Sequence, residues 1–205
     1  MKRLSIIISI LLLSLNLQAQ NNAVTSFTNS LKGKCATFSY TYSMTGQMPL
    51  TGSGEIRFQN DAFIMKGDDL EIYCDGNTRW TIDTAAEECY IESVSAGEID
   101  IEANPAMIVG NVDKALKFES SSSTTFKGRK VTGAVLSPKS QGGSIQNVTL
   151  YLSDNKPEGA LIKLRDGSKL EITISGFTLH PQENAAVFKF NTAKLNKNYI
   201  LTDLR

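Results

Sequence analysis

Apolar and polar residues alternate along most of this chain, with the period of two expected of half-buried β-strands. The first such run places Phe38, Tyr40 and Tyr42 on one face of a strand and hydroxyl residues on the other. Four further segments continue the alternation, and they contain Ile56 and Phe58, Phe63 and Met65, Leu70 and Ile72, and Trp80 and Ile82. Short strands at this spacing predict an antiparallel meander of about ten strands.

Turn residues separate these strands. Asp75-Gly76-Asn77 and Asp166-Gly167-Ser168 contain residues that tolerate a positive φ, as tight hairpins require. The run Ser120–Thr125 has no apolar residue, and we expect it to be a turn or a loop. Together with two helical segments, this pattern predicts the α+β fold class with mostly β-structure.

The first helical segment precedes the strands. Val24, Phe27 and Leu31 recur at helical spacing, and Gly33 supplies a stop.

A second helical segment interrupts the strands. The pair Asn104-Pro105 predicts a helix start, with a capping side chain followed by proline at the first helical position. Met107 and Val109 supply apolar residues along a helix that we expect to reach about Leu116. Gly110 weakens this helix by about 1 kcal/mol relative to alanine. The segment is expected to be a lid over the sheet or a simple packing element.

The N-terminus predicts export. Lys2 and Arg3 precede the apolar run Leu4–Leu15, and Ala19 suits cleavage by signal peptidase. The apolar run is too short to span a membrane. We therefore expect a cleaved signal peptide at residues 1–19, followed by a single domain at residues 20–205 that is released across the membrane.

Composition excludes several classes of partner. Lysine and arginine number 21, aspartate and glutamate also number 21, and no basic run is present. Nucleic acid is therefore not an expected partner. The sequence contains no cluster of metal ligands and no phosphate-binding glycine loop, so neither a metal nor a cofactor is expected. We also expect a monomer, because no coiled-coil pattern is visible.

Enzymatic chemistry has little support. His180 is the one histidine of the chain, and a Ser-His or Cys-His mechanism would depend on it. We expect it to be an exposed loop residue, and we expect the protein not to be an enzyme.

The three cysteines allow at most one disulfide. Cys74 and Cys89 are expected on the first and third strands of a meander, near opposite ends, which opposes a bridge between them. Three buried, unpaired thiols that include Cys35 are the leading interpretation, and one disulfide is the alternative.

The apolar face of the sheet has two interpretations. It can be an ordinary core packed under helices, or it can line a cavity for an apolar ligand. Alternation shows which face is dry, but it does not distinguish a filled face from a cavity.

The order of several motifs resembles the LolA family of periplasmic lipoprotein carriers, in a divergent, short-looped form. The motifs are Gly52–Phe58, Phe63, the hairpin Ile72–Trp80, the lid start Asn104–Val109, Leu136–Lys139 and Phe188–Phe190. Each motif is weak alone, but the hairpin with its DG-x-x-x-W pattern and the order of the motifs are moderately specific.

The resemblance implies an incomplete antiparallel β-barrel, that is, a strongly curved sheet with helices covering its concave face. It assigns lipid-lining roles to Leu31, Ile56, Phe58, Phe63, Met65, Met107 and Val109. Alternation adds Phe38, Tyr40, Tyr42, Ile72, Trp80 and Ile82 to this set. One departure is clear, because Asn60-Asp61 stands where the family has an Arg-Pro whose arginine helps to hold the lid closed.

The function implied by the resemblance is a periplasmic chaperone that carries acylated lipoproteins from the inner to the outer membrane. Its expected partners are an inner-membrane lipoprotein exporter and possible acceptors on the outer membrane. The alternative is a periplasmic lipid-binding or sensory module of the same fold that acts through a protein partner.

Overall fold

The structure is a computed structural model that describes residues 23–46, 49–94, 105–140 and 142–205. The predicted signal peptide and the predicted capping residue Asn104 lie outside these ranges. No helix in the described ranges is both long and apolar enough to span a membrane.

Short helices and long strands make up the described chain. The first helix, α1, covers residues 23–31. The strands are β1 (Lys34–Thr45), β2 (Leu50–Gln59), β3 (Ala62–Gly67), β4 (Leu70–Cys74), β5 (Thr78–Asp83), β6 (Glu88–Ser93), β7 (Leu116–Phe126), β8 (Arg129–Pro138), β9 (Ile145–Ser153), β10 (Lys156–Leu164), β11 (Lys169–Pro181) and β12 (Ile200–Asp203). The other helical segments are the 3-10 helix Pro105–Gly110, α2 (Val112–Ala115) and the 3-10 helices Ala185–Phe188 and Thr192–Lys194.

All twelve strands belong to one sheet, in the order β12-β6-β5-β4-β3-β2-β1-β11-β10-β9-β8-β7. The sheet is curved but not closed into a barrel, because β12 and β7 remain as edges. The predicted antiparallel meander is confirmed for β1 to β6 and for β7 to β11. The two meanders join where β1 pairs with β11, and β12 pairs with β6 in parallel.

Both predicted hairpins are present. Asp75 Oδ1 accepts hydrogen bonds from the backbone N–H groups of Asn77 at 3.0 Å and Thr78 at 2.9 Å. Gly76 has φ of 95°, a conformation that glycine adopts without steric cost. These local bonds fix the turn between β4 and β5, and an equivalent arrangement around Asp166 fixes the turn between β10 and β11.

The helical predictions are confirmed in part. Helix α1 ends before Gly33, whose φ of 66° provides the expected stop. The predicted second helix is instead a 3-10 helix followed by the single turn of α2, and Leu116 already begins β7. A 3-10 helix is tighter than an α-helix and suits short connections, which fits a segment that must cross the sheet before β7 starts.

The prediction of a turn or loop at Ser120–Thr125 is wrong, because these residues lie within β7. Among the described strands β7 is an edge strand that pairs only with β8, and most of its side chains are at least partly exposed. An edge strand with this exposure needs no row of apolar residues, so the period-two signal is missing.

Each face of the sheet carries a buried apolar cluster, and we define the two faces by their residues. The inner face carries Phe38 and Ile56, and it forms a large buried cluster together with Phe27 of α1 and Ile108 of the 3-10 helix. The outer face carries Trp80 and contacts the C-terminal residues 182–199, which we call the strap.

The strap is held to the outer face by polar and apolar contacts. Gln59 donates to the backbone carbonyl of Glu183 at 3.1 Å and accepts from its N–H at 2.7 Å. Phe188 is fully buried beside Cys35, and Phe190 packs on Tyr73 with ring centroids 4.9 Å apart. The strap is therefore part of the folded core.

Candidate functional site

The inner face is a continuous apolar surface, because strand register aligns its side chains. Phe38 of β1 lies opposite Ile56 of β2. Ile56 in turn lies opposite Met65 of β3, and Met65 faces Ile72 of β4. A second row crosses the junction of the two meanders through Tyr42, Ile172, Ala160, Leu150 and Ala134. Cross-strand partners share a face, so these rows run across both halves of the sheet.

Most of the predicted lining residues meet in this inner cluster. Eight are buried in it, namely Phe38, Tyr40, Ile56, Phe58, Met65, Ile72, Met107 and Val109. Three more are partly buried against it, namely Leu31, Tyr42 and Phe63.

The structure separates Trp80 and Ile82 from this group. Trp80 lies opposite Tyr73, so its side chain points to the outer face and away from Ile72. Both residues are buried with Ile91 in a second cluster, which the strap residues Phe190 and Leu195 help to cover. Their assignment to the same surface as the other residues is therefore wrong, because alternation within a strand does not specify which face of the sheet is the inner one.

The motif Gly52–Phe58 has a packing explanation. A side chain at Gly54 would come within 2.6 Å of the Tyr40 hydroxyl, and one at Gly52 within 2.6 Å of the Tyr42 ring. The two glycines therefore leave room for tyrosine rings that lie across β2 and stack on each other at 6.4 Å. Burial raises the pKa of Tyr40 to about 12, which keeps its hydroxyl neutral in this apolar layer.

Three phenylalanines connect α1 to the inner face. Phe27 packs on Phe177 at 6.0 Å, and Phe177 packs on Phe38 at 6.3 Å. The ladder between β1 and β11 has an irregularity before Phe177, beside Gly176 with its φ of 66°. A bulge of this kind redirects a side chain. Sequence alternation missed Phe177 because the bulge breaks the period.

The segment from Pro105 to Ala115, which we call the lid segment, lies against β2. Met107, Ile108 and Val109 are buried in the inner cluster. A Cβ atom at Gly110 would lie 2.8 Å from two carbons of the Phe58 ring. Gly110 therefore allows the lid segment to touch this ring directly, a role that helix propensity alone does not indicate.

A buried asparagine follows this glycine. Asn111 is 3% exposed, and its Nδ2 donates to the carbonyl of Met107 at 3.1 Å. Its Oδ1 is buried and has no hydrogen-bond partner. Sequence analysis missed Asn111, because a single polar residue within an apolar segment carries no periodic signal.

An ion pair joins the lid segment to the sheet. Lys114 of α2 contacts Asp61 in the turn between β2 and β3. Asp61 belongs to the Asn60-Asp61 pair that replaces the Arg-Pro of the resemblance. The two side chains are 37% and 42% exposed, so the pair contributes at most about 1 kcal/mol to stability.

The candidate chemical groups lie within the sheet. His180 lies in β11 and not in a loop, is only partly exposed, and its Nε2 is 3.0 Å from the Thr37 hydroxyl. The prediction of an exposed loop histidine is therefore wrong, because β11 extends past the bulge to pair with the start of β1. No group of three or more potential metal ligands occurs among the described residues.

The leading interpretation of the cysteines is confirmed, since Cys35, Cys74 and Cys89 are free and buried. Cys74 lies opposite Arg79 and Cys89 opposite Ile82, near opposite ends of the three-strand unit. Burial raises the pKa of all three thiols, which leaves them neutral and unreactive.

A cavity of about 420 Å³ lies on the outer side of β1, β2 and β3. Its lining includes Thr37, Ser39 and Glu55, together with Arg57 and Lys66. The last two side chains pair with Glu183 and Glu71. Polar and charged side chains share this lining with Ile64, so the cavity differs from the apolar inner face.

The sequence identifies the family to which this open curved sheet with an apolar inner face belongs. Residues 36–191 match the family described as outer membrane lipoprotein carrier protein LolA. The chain belongs to this family. Comparison with curated proteins gives no match.

A solved structure shows the same fold at low sequence identity, and two others align over most of this chain. An uncharacterized conserved protein from Thermus thermophilus aligns with a TM-score of 0.55 at 10% identity, covering 91% of this chain and 99% of that one. A LolA superfamily protein from Nitrosomonas europaea aligns with a TM-score of 0.43 at 9% identity, covering 82% and 97%. The Pseudomonas aeruginosa MucA/MucB complex aligns with a TM-score of 0.47 at 12% identity, covering 84% and 61%.

Proposed function

We propose that this protein carries the acyl chains of lipoproteins on its inner face, between the inner and outer membranes. The observation that carries the proposal is the apolar row from Phe38 through Ile56 and Met65 to Ile72, which belongs to the same buried cluster as Met107 of the lid segment. In this proposal the residues are ligand contacts as well as core.

The energetic need for such a carrier is large. Burying one methylene is worth about 0.8 kcal/mol, so a 16-carbon chain costs roughly 12 kcal/mol to expose to water. Met65 and Met107 suit disordered chains, because flexible thioethers adapt to ligands of different shape. No catalytic residue is needed for such a function, and the protein is not proposed to be an enzyme.

The helical elements act in this proposal as a movable cover on the inner face. Helix α1 contacts the sheet through Val24 and Phe27, and the lid segment contacts it through Met107, Ile108 and Val109. These side chains fill the inner face in the described state, so an acyl chain would have to displace them. A six-residue 3-10 helix and one α-helical turn are easily displaced, because short helices depend on tertiary packing for stability.

Membership of the LolA family supports an extracytoplasmic location and a route that begins at an inner-membrane exporter. In this proposal the signal peptide at residues 1–19 is removed and a monomer of one domain works in the periplasm. It receives acylated lipoproteins as cargo and delivers them to an outer-membrane acceptor.

Photolabelling provides the direct test. Phe58 and Met65 are 4% and 7% exposed, so an acidic substitution at either position would unfold the protein and would not report on binding. A palmitoyl probe with a photoreactive group at the chain end avoids this difficulty. We expect cross-links to peptides that contain Phe38, Met65 or Met107.

The outer face supplies the internal control. When the label is assigned to single residues by fragmentation, Trp80 and Ile82 should remain unlabelled, because these side chains lie under the strap. Labelling confined to the outer face, or no saturable labelling, would contradict the carrier function. Co-purification of a protein partner without lipid would then favour the sensory module.

A further inference from the structure

The lid segment contains a polar atom that the fold does not satisfy. Asn111 is buried between the 3-10 helix and α2, and its Nδ2 already donates to the Met107 carbonyl. Its Oδ1 is buried without a hydrogen-bond partner. A buried acceptor that lacks a partner costs free energy, and an apolar residue of similar size would avoid that cost.

The surroundings of Asn111 are those of the candidate lipid site. The flanking residues Val109 and Val112 are buried in the inner cluster, as is Met107, to which the amide is bonded. The oxygen therefore offers one acceptor in an otherwise apolar layer. Binding sites for apolar ligands characteristically contain a few polar groups of this kind, which fix orientation and specificity.

We infer that Asn111 Oδ1 accepts a hydrogen bond from a donor at the root of an acyl chain. The donor chemistry is an amide N–H or a hydroxyl, as in an N-acyl amide or an acylglycerol. An acyl ester without a donor would leave the oxygen unpaired. This inference rests on the proposed function, and it makes Asn111 a specificity-determining residue within that function.

The experiment compares ligands that share one chain and differ at its root. N-methylpalmitamide carries an N–H where methyl palmitate carries an ester oxygen, and monopalmitoylglycerol carries hydroxyls. Displacement of a fluorescent acyl probe gives the affinity of each ligand for the natural protein and for Asn111→Leu. Because each ligand is compared with itself across the two proteins, its own solubility cancels from the result.

The ligand preference is the affinity for a donor-bearing ligand divided by the affinity for the ester. This preference should be about fivefold higher in the natural protein than in Asn111→Leu, as expected for one neutral hydrogen bond. Ester affinity should be similar in both proteins, which also shows that the variant is folded. If Asn111→Leu weakens the binding of the amide alone or of the acylglycerol alone, that ligand carries the donor that Asn111 binds. Asn111→Ala serves in place of the leucine variant if the latter does not fold.

The control is Ser121→Ala, since Ser121 Oγ is the other buried and unpartnered side-chain oxygen found in the described ranges. Ser121 of β7 lies opposite Ala134 of β8 and therefore shares the inner face, so this variant tests whether another unpartnered oxygen on the same face gives the same preference. Its removal should leave ligand preference unchanged. Equal preference in the natural protein and Asn111→Leu, or loss of preference in Ser121→Ala alone, would overturn the inference. Failure of all three ligands to bind the natural protein would instead overturn the proposed function.

Discussion

Gly110 offers the sharpest test of how the lid segment sits on the sheet. In Gly110→Ala the new methyl carbon would lie 2.8 Å from two carbons of the Phe58 ring and 3.3 Å from a third. Carbon atoms prefer separations of about 3.5–4.0 Å, so the lid segment or the ring must move by about 0.7 Å. Phe58 is only 4% exposed and packs against Phe38 at 6.3 Å, which leaves the lid segment as the element that moves.

Overpacking of this kind costs about 1–3 kcal/mol. The better helix propensity of alanine offsets up to about 1 kcal/mol of that cost. We therefore expect a lower free energy of unfolding in urea with an unchanged m-value, together with faster association of an acyl probe. Gly67→Ala is the matched control, because a Cβ there meets only ordinary contacts at 3.5 and 3.7 Å.

A double-mutant cycle isolates the contact. Phe58→Leu removes the ring that the new methyl meets, so Gly110→Ala should cost less in that background than in the natural protein. Strictly additive effects, or a Gly110→Ala variant as stable as the natural protein, would refute direct packing between the lid segment and Phe58.

Three further predictions follow from burial. Phe188→Ala should lower the free energy of unfolding by about 3–5 kcal/mol, because the ring is fully buried under the strap, whereas Val187→Ala at a 41% exposed neighbour should change little. The fluorescence of Trp80, the single tryptophan, should stay unchanged when an acyl ligand binds, because the ring lies on the outer face; a saturable change would place the ligand there. Burial raises the pKa of Tyr40 from 10.0 to about 12, so the unfolded chain loses this proton first and stability should fall as the pH rises from 10 to 12. Tyr40→Phe should show a smaller fall in alkaline denaturation, and an equal fall would contradict the assignment.

Much of the fold could be predicted from the sequence, because period-two alternation and turn residues are local signals. The hairpin at Asp75 and the stop at Gly33 follow from the chemistry of those residues, and the structure confirms both. The pairing of β1 with β11 joins segments that are distant in the chain, and no local pattern specifies it. The sequence did not predict β7 at Ser120–Thr125, because an exposed edge strand needs no row of apolar residues.

The candidate site could be predicted less completely. Alternation selected Phe38 and the family resemblance selected Met65, and both lie in the inner cluster. Alternation also selected Trp80, because period two distinguishes the faces of one strand and not those of a whole sheet. The inward position of Phe177 depends on a bulge, and the candidate role of Asn111 depends on a single buried oxygen. Such features arise from tertiary packing, which leaves no repeat in the sequence.

The junction of β1 with β11 also determines when the molecule can fold. Thr37 and His180, which contact each other across that junction, are 143 positions apart in the chain. At a synthesis rate of about 5–20 residues per second, the free edge of β1 waits roughly 7–30 s for its partner. Pairings between distant segments also form slowly, because the chain loses the entropy of loop closure before the new contacts stabilise the pairing. During that interval the apolar row of β1 is exposed to aggregation, so efficient production of this protein should depend on holding chaperones that cover the nascent β1 edge.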